Sequence, residues 1–190
     1  MDTITVIFSG MAGSGKTSLA KEIANRFALK YLCGGDALKE IAYKQGYKIT
    51  GSDWWETSEG MRFLSERKEN PEFDKEVDKI LLREAEKGGA SITSWALPWL
   101  GAPGIKIWVD ASQDVRAKRI AERDKISVSD ALEAVKIRDK ENTGLYNKMY
   151  GFTLGTDLEE FDLLLDANTK NVKELADELE QFLKEKIKKD

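Results

Sequence analysis

With 190 residues, 30 basic against 34 acidic side chains and a net charge of −4, the chain is long enough to build one domain around its own core, and its charge does not suit a dedicated nucleic-acid binder. It contains no histidine, which excludes imidazole acid–base chemistry, histidine metal ligands and Ser-His triads, and its single cysteine, Cys33, excludes an internal disulfide and fits a cytoplasmic setting. No stretch approaches the roughly 20 apolar residues of a membrane span and Met1-Asp2-Thr3 begins no signal peptide, so neither a membrane nor a nucleic acid is an expected partner.

Residues 3–8 are β-branched or aromatic and predict a buried strand. Gly10, Met11, Ala12, Gly13, Ser14, Gly15, Lys16 and Thr17 follow and match G-x-x-x-x-G-K-[ST], while Leu19, Ala20, Ile23, Ala24 and Phe27 recur behind them at helical spacing. In a strand, glycine-rich loop and helix, backbone N–H groups and the positive end of the helix converge on phosphate oxygens. These eight residues with Ser18 are therefore the expected ATP-binding segment. Lys16 would reach the β- and γ-phosphates, and the Thr17 hydroxyl would hold Mg²⁺.

Residues 30–33 predict a second strand, closed by Gly34 and Gly35. Asp36 is placed to cap a helix bearing Leu38, Ile41 and Ala42, which Gly46 stops. After a turn at residues 50–53, Trp54 and Trp55 open a helical stretch through Phe63 and Leu64. Asn70, Pro71 and Glu72 then start a helix with Phe73, Val77, Ile80, Leu81 and Ala85 on one face, ending at Gly88 and Gly89. Residues 90–94 and 105–109 predict the third and fourth strands, joined by a proline-bearing apolar loop at residues 95–100. A helix runs from about Gln113 to Arg123, and Ser127 with Asp130 caps a long helix through Val135 and Arg138. Residues 161–165 read as the last strand, and Asn171 with Glu174 opens a final amphipathic helix whose lysine-rich end suits the helix dipole.

Strands alternating with helices predict an α/β fold, a P-loop NTPase with a five-stranded parallel sheet and helices on both faces. One domain is expected, with a core of residues 1–35, 89–123 and 152–190, a helical acceptor-binding insertion at 36–88 and a lid at 124–151.

P-loops also serve GTPases and transport ATPases, but the chain carries neither an N-K-x-D nor an L-S-G-G-Q motif, and 190 residues leave no room for a motor. Its layout resembles the nucleoside monophosphate kinases, and within them the archaeal-type cytidylate kinases, over nearly the whole length. Residues 8–17, Gly35-Asp36, 70–74, 106–110, 115–123, 126–132, Tyr150-Gly151 and 162–166 carry the likeness. The resemblance implies Mg²⁺-dependent transfer of the γ-phosphoryl group of ATP to a nucleoside monophosphate, most closely CMP. A monomer or homodimer is expected.

Phosphoryl transfer depends on charge neutralisation and in-line positioning, and arginine forks supply both. Arg119 and Arg123 lie one helical turn apart where such kinases enter the lid, and Arg138 matches the arginine on the lid's returning arm. With Lys16 they are the expected catalytic cations; Arg116 lies three residues before Arg119. Candidates for the acceptor are Asp36, Asp53, Trp54, Trp55, Arg62, Trp95 and Trp99. Asp36 is read as a plain helix cap just as well, and tryptophans are usually core, as Trp108 on its strand should be. Where the resembled kinases carry a Gly-Arg signature after the third strand, this chain reads Thr93 to Trp99 with neither arginine nor acid. Arg62 is then the remaining basic group in the insertion for an acceptor phosphate. Two alternatives stay open: a same-fold kinase of a phosphorylated non-nucleotide alcohol such as a mevalonate phosphate, and a nucleotide-gated binding module.

Overall fold

The central strand β1 (Val6–Ser9) is buried along its whole length, and its side chains alternate between two helical layers. Val6 and Phe8 pack among Leu19, Ile23, Leu175 and Leu179, whereas Ile7 packs among Leu38, Val77, Leu81 and Ile92 on the opposite side. The computed structural model of the protein describes residues 4–49 and 58–188. Around β1 lie β2 (Lys30–Cys33), β3 (Ala90–Thr93), β4 (Ile105–Asp110) and β5 (Leu163–Asp166), in the spatial order β2-β3-β1-β4-β5. Every pairing is parallel; Phe8 registers with Thr93 on one side and Ile107 on the other. The five-stranded parallel sheet with helices on both faces is thus as the periodicity predicts.

Helix α1 (Lys16–Arg26) follows β1 and shares its layer with α7 (Val172–Ile187), to which Arg26 is tied through Asp177 and Glu180 at 2.7 and 2.8 Å. On the other face lie α2 (Gly34–Lys44), α3 (Ser58–Glu69) and α4 (Glu72–Glu86), all between β2 and β3. Helices α5 (Gln113–Asp124) and α6 (Val128–Tyr150) pack on each other through Ala117, Ile120, Ala121, Ala131 and Val135. Gly151, in the left-handed region at φ 81°, ends α6. Among the described residues no helix is long and apolar enough to cross a membrane.

Two local expectations change. Helix α2 begins at Gly34, so Asp36 sits inside its first turn and does not cap it; the extended residue before the helix is Cys33. The loop after β3 is not irregular: Leu97–Leu100 coil into a 3₁₀ turn because the Ser94 hydroxyl accepts the N–H groups of Ala96 and Leu97, both at 3.2 Å. Because the strands run parallel, Ser9, Cys33, Thr93, Asp110 and Asp166 all end at one edge of the sheet. The order reverses beside β1, whose neighbours β3 and β4 lie on opposite sides, which is where open α/β sheets form a crevice.

The capping box at α7 is complete, with Asn171 Oδ1 accepting from Lys173 and Glu174 and Glu174 accepting from the Asn171 N–H. Asn171→Ala is expected to lower the unfolding free energy by about 1 kcal/mol with no change in denaturant m-value, checked by urea titration.

Candidate active site

The loop between β1 and α1 is wrapped so tightly that two of its glycines are obligatory. A Cβ on Gly10 would lie 2.5 Å from the Val109 carbonyl oxygen, and one on Gly13 would meet Ile120 and Arg116 at 3.0–3.2 Å, with both backbones in the left-handed half of φ. Neighbouring elements therefore pack directly on the loop backbone. The strongest of these contacts come from two arginines of α5. Arg116 is 3% exposed and donates to the Ala111 carbonyl at 2.9 Å, to the Ala12 carbonyl at 3.1 Å and to Asp139 of α6 at 2.6 and 2.9 Å. Arg119 donates to the Ser14 carbonyl at 2.9 Å and to the Ala167 carbonyl, just past β5, at 2.6 Å. Carbonyl oxygens of the loop are thus held by guanidinium groups, while the hydroxyl of Ser14 is buried with no hydrogen-bond partner among the described residues.

Two cavities adjoin this loop. The first, about 780 Å³, is lined by residues 13–18, by Arg119 and Arg123 of α5, and by residues 168–172 leading into α7. The second, about 340 Å³, lies under α2 and α4 and is closed by Trp95, Arg138 and Tyr146. Gly13, Lys16, Thr17 and Arg123 line both. Both volumes fall in the range of about 300–1,000 Å³ typical of small-molecule sites.

Lys16 stands at their junction. Its ammonium donates to the Met11 carbonyl at 3.3 Å and lies 4.7 Å from the centre of the Trp95 ring. Burial, with the neighbouring charges of Arg138 and Arg116, pushes its pKa down to about 8. Thr17 is exposed on the first turn of α1 beside it. Arg138, on α6, is exposed and makes no hydrogen bond or ion pair within the described residues, so its fork is held by no protein partner there. Arg123 is paired with its neighbour Asp124 at 2.6 and 2.7 Å on the exposed side of α5.

The second cavity also carries two acids that the sequence reading passed over. Asp74 and Asp78 are 4% and 5% exposed on α4, and the Tyr150 hydroxyl donates to Asp78 at 2.8 Å. Burial and these carboxylates raise the Tyr150 pKa, which keeps the phenol protonated as a donor. A signal was present: two aspartates at i and i+4 interrupt the apolar stripe of Phe73, Val77 and Leu81. Arg116 was legible only as an arginine three residues before Arg119, and not as the buried partner of Asp139.

The remaining predicted acceptor residues separate. Trp95 lines the second cavity and stacks on Tyr146 at 6.2 Å with 17° between the rings. Trp99 does not reach it: the ring stacks on Phe152 at 4.2 Å, abuts Trp108 and Phe161 edge-on, and spends its N–H on the Asp157 carbonyl at 2.6 Å. That aromatic cluster buries it better than a pocket wall would. Trp108 is core, as expected, at 2% exposure. Arg62 lies over the Tyr47 ring at 4.7 Å and 3.8 Å from Glu66, away from the cavity lining. Asp36 accepts from the Cys33 thiol at 3.1 Å and borders a separate surface groove with Glu40 and Lys44. Asp53, Trp54 and Trp55 lie outside the described residues.

The two ion pairs of α5 differ in kind. Removing one member of a buried pair strands a charge, whereas an exposed pair is worth little. Asp139→Ala is therefore expected to cost about 3–5 kcal/mol of stability and Asp124→Ala less than about 1 kcal/mol, compared by chemical denaturation.

The cytidylate kinase-like family model matches residues 4–169. The cytidylate kinase of Pyrococcus horikoshii is 31% identical over 88% of this chain and 81% of its own, and that of Staphylothermus marinus is 30% identical over 96% and 99%. The fold is similar to that of a shikimate kinase from Acinetobacter baumannii solved in complex with shikimate, at a TM-score of 0.57 and 16% identity, covering 97% of this chain and 94% of that one. A P-loop packed beneath two cavities, on a parallel sheet of this order, and sequence matches spanning most of the chain lead to one conclusion: the protein belongs to the cytidylate kinase-like family and is a kinase.

Proposed function

We propose that the protein transfers the γ-phosphoryl group of ATP to a nucleoside monophosphate, with CMP as its acceptor. The observation that carries this reading is that two cavities meet on Lys16, Thr17, Gly13 and Arg123. A donor in the larger cavity and an acceptor in the smaller would bring their phosphates together at these four residues. CMP as acceptor is supported by the relatives named cytidylate kinase.

In this reading the loop N–H groups and the start of α1 bind the triphosphate, and the base and ribose of ATP extend along α5 towards residues 168–172. The donor set fits a triphosphate with a divalent cation: an exposed threonine hydroxyl beside the lysine on the first helical turn, and a loop whose carbonyls are already held by arginines. Mg²⁺ held by Thr17 and the phosphate oxygens would neutralise charge developing on the transferred group. Lys16 and Arg138 would bind the reacting phosphates from two sides, with Arg123 joining once it leaves Asp124. Arg119 acts by positioning the loop. Residues 36–88 serve as the acceptor-binding insertion and residues 124–151 as the lid.

The arginine that the resembled kinases carry after β3 is absent, and Arg62 does not replace it. Arg123 and Arg138 line the acceptor cavity in its stead, reaching it from α5 and α6. Asp74 and Asp78 supply carboxylate oxygens to the same wall.

The direct test is ADP release with CMP, UMP, AMP and dCMP as acceptors. CMP is expected to give a kcat/KM above about 10⁴ M⁻¹s⁻¹ and the highest of the four; turnover with none of them would overturn the reading. Lys16→Ala is expected to lower kcat at least about a hundredfold, since it removes charge stabilisation of the transition state, with near-native circular dichroism.

A pH effect follows from the depressed lysine. With the Lys16 pKa at about 8, phosphate binding should draw it back towards or above its ordinary value, so the bound form holds the proton that the ligand-free form releases. ATP affinity should then fall as pH rises through about 8. Calorimetry in buffers of differing ionisation enthalpy should show uptake near zero at pH 6.5 and approaching about 0.9 proton per ATP at pH 9.

A further inference from the structure

Trp95 lies just past the end of β3, and its surroundings define its role. Its backbone is fixed: its carbonyl accepts from the Ser9 hydroxyl at 3.4 Å, and the turn behind it is capped by Ser94. Its ring stacks on Tyr146 and carries the Lys16 ammonium 4.7 Å from its centre. The only other contact of that ammonium within the described residues is the Met11 carbonyl at 3.3 Å. Lys16 lines both cavities, whereas Trp95 lines the acceptor cavity alone.

These contacts set up a competition. A phosphate chain offers the ammonium charge-assisted hydrogen bonds, which outweigh its contact with a neutral ring. We propose that Trp95 couples the two cavities: it parks Lys16 while the donor cavity is empty and, once a triphosphate draws the ammonium away, offers its ring to the base of the acceptor nucleotide. This rests on the nucleotide-kinase reading above and adds to it a positioning residue and a requirement for a planar ring on the acceptor. An acceptor arriving first must displace the lysine from the ring, and one arriving after the donor need not. Donor and acceptor therefore bind with positive coupling, and by linkage each strengthens the other equally. The free energy of a cation–π contact corresponds to a coupling of about two- to thirtyfold.

The test is calorimetric titration of CMP with and without a saturating non-hydrolysable ATP analogue and Mg²⁺, in the native protein and in Trp95→Leu and Trp95→Phe. In the native protein the analogue should tighten CMP binding about two- to thirtyfold. In Trp95→Leu the two CMP affinities should agree within about twofold while the analogue itself still binds, and in Trp95→Phe, a weaker cation–π partner, the coupling should be intermediate. Ribose 5-phosphate, which carries the phosphate without a base, should bind the native protein with no gain from the analogue. That comparison stands even where a variant folds poorly. Equal CMP affinity in both states of the native protein, or undiminished coupling in Trp95→Leu, would overturn the proposal while leaving the kinase reading intact. Failure of CMP either to bind or to be phosphorylated in any state would overturn both.

Discussion

Arg116 carries a full charge at a place that leaves it 3% exposed, and four of its five N–H groups are spent on protein oxygens. Burial of that kind is tolerable only when geometry and charge are both matched, and here Asp139 supplies the counter-charge through two bonds. The consequence reaches three elements at once. The Ala12 carbonyl is held to α5, the end of β4 is held through Ala111, and α6 is fixed to the core at Asp139. A P-loop binds phosphate through its N–H groups, so its carbonyls must be occupied elsewhere; Arg116 at Ala12 and Arg119 at Ser14 do this.

The same clamp decides where the other cations stand. Arg138 is the residue next to Asp139, so anchoring α6 at one position brings the adjacent guanidinium to the cavity wall. Lys16, Arg116 and Arg138 then share one small region, and their mutual repulsion helps lower the Lys16 pKa. A cluster of positive charge with depressed proton affinity is costly in the empty protein and is relieved by a polyphosphate. In the proposed reaction, pre-organised charge of this sort would stabilise the transferring phosphoryl group.

Around the second cavity the fold is held together by aromatic residues. Trp99, Phe152 and Trp108 lock the end of α6 and the segment after it onto the loop following β3, and Tyr150 completes the link across to Asp78 of α4. The second cavity is therefore enclosed by elements that are remote in sequence and tied by ring stacking and the Tyr150–Asp78 bond. Within it Trp95, unlike Trp99, keeps contact with Lys16.

What the sequence by itself determined is what acts over a few residues. The strand, glycine loop and lysine of residues 6–17, the caps at Ser127 and Asn171, and the alternation that buries β1 on both faces all arise from neighbours along the chain, where spacing is direct information. Asp36 was misplaced even there, because two glycines before it continue the helix backwards by two residues. The tertiary structure alone decided the rest. Arg116 meets Asp139 23 positions away, Tyr150 meets Asp78 72 positions away, and Trp99 reaches the Asp157 carbonyl 58 positions away. No local pattern distinguishes Trp95 from Trp99, or Arg62 from Arg138, since each pair shares its chemistry. Which member faces a cavity depends on how helices pack around the sheet, and that packing is a property of contacts between distant segments.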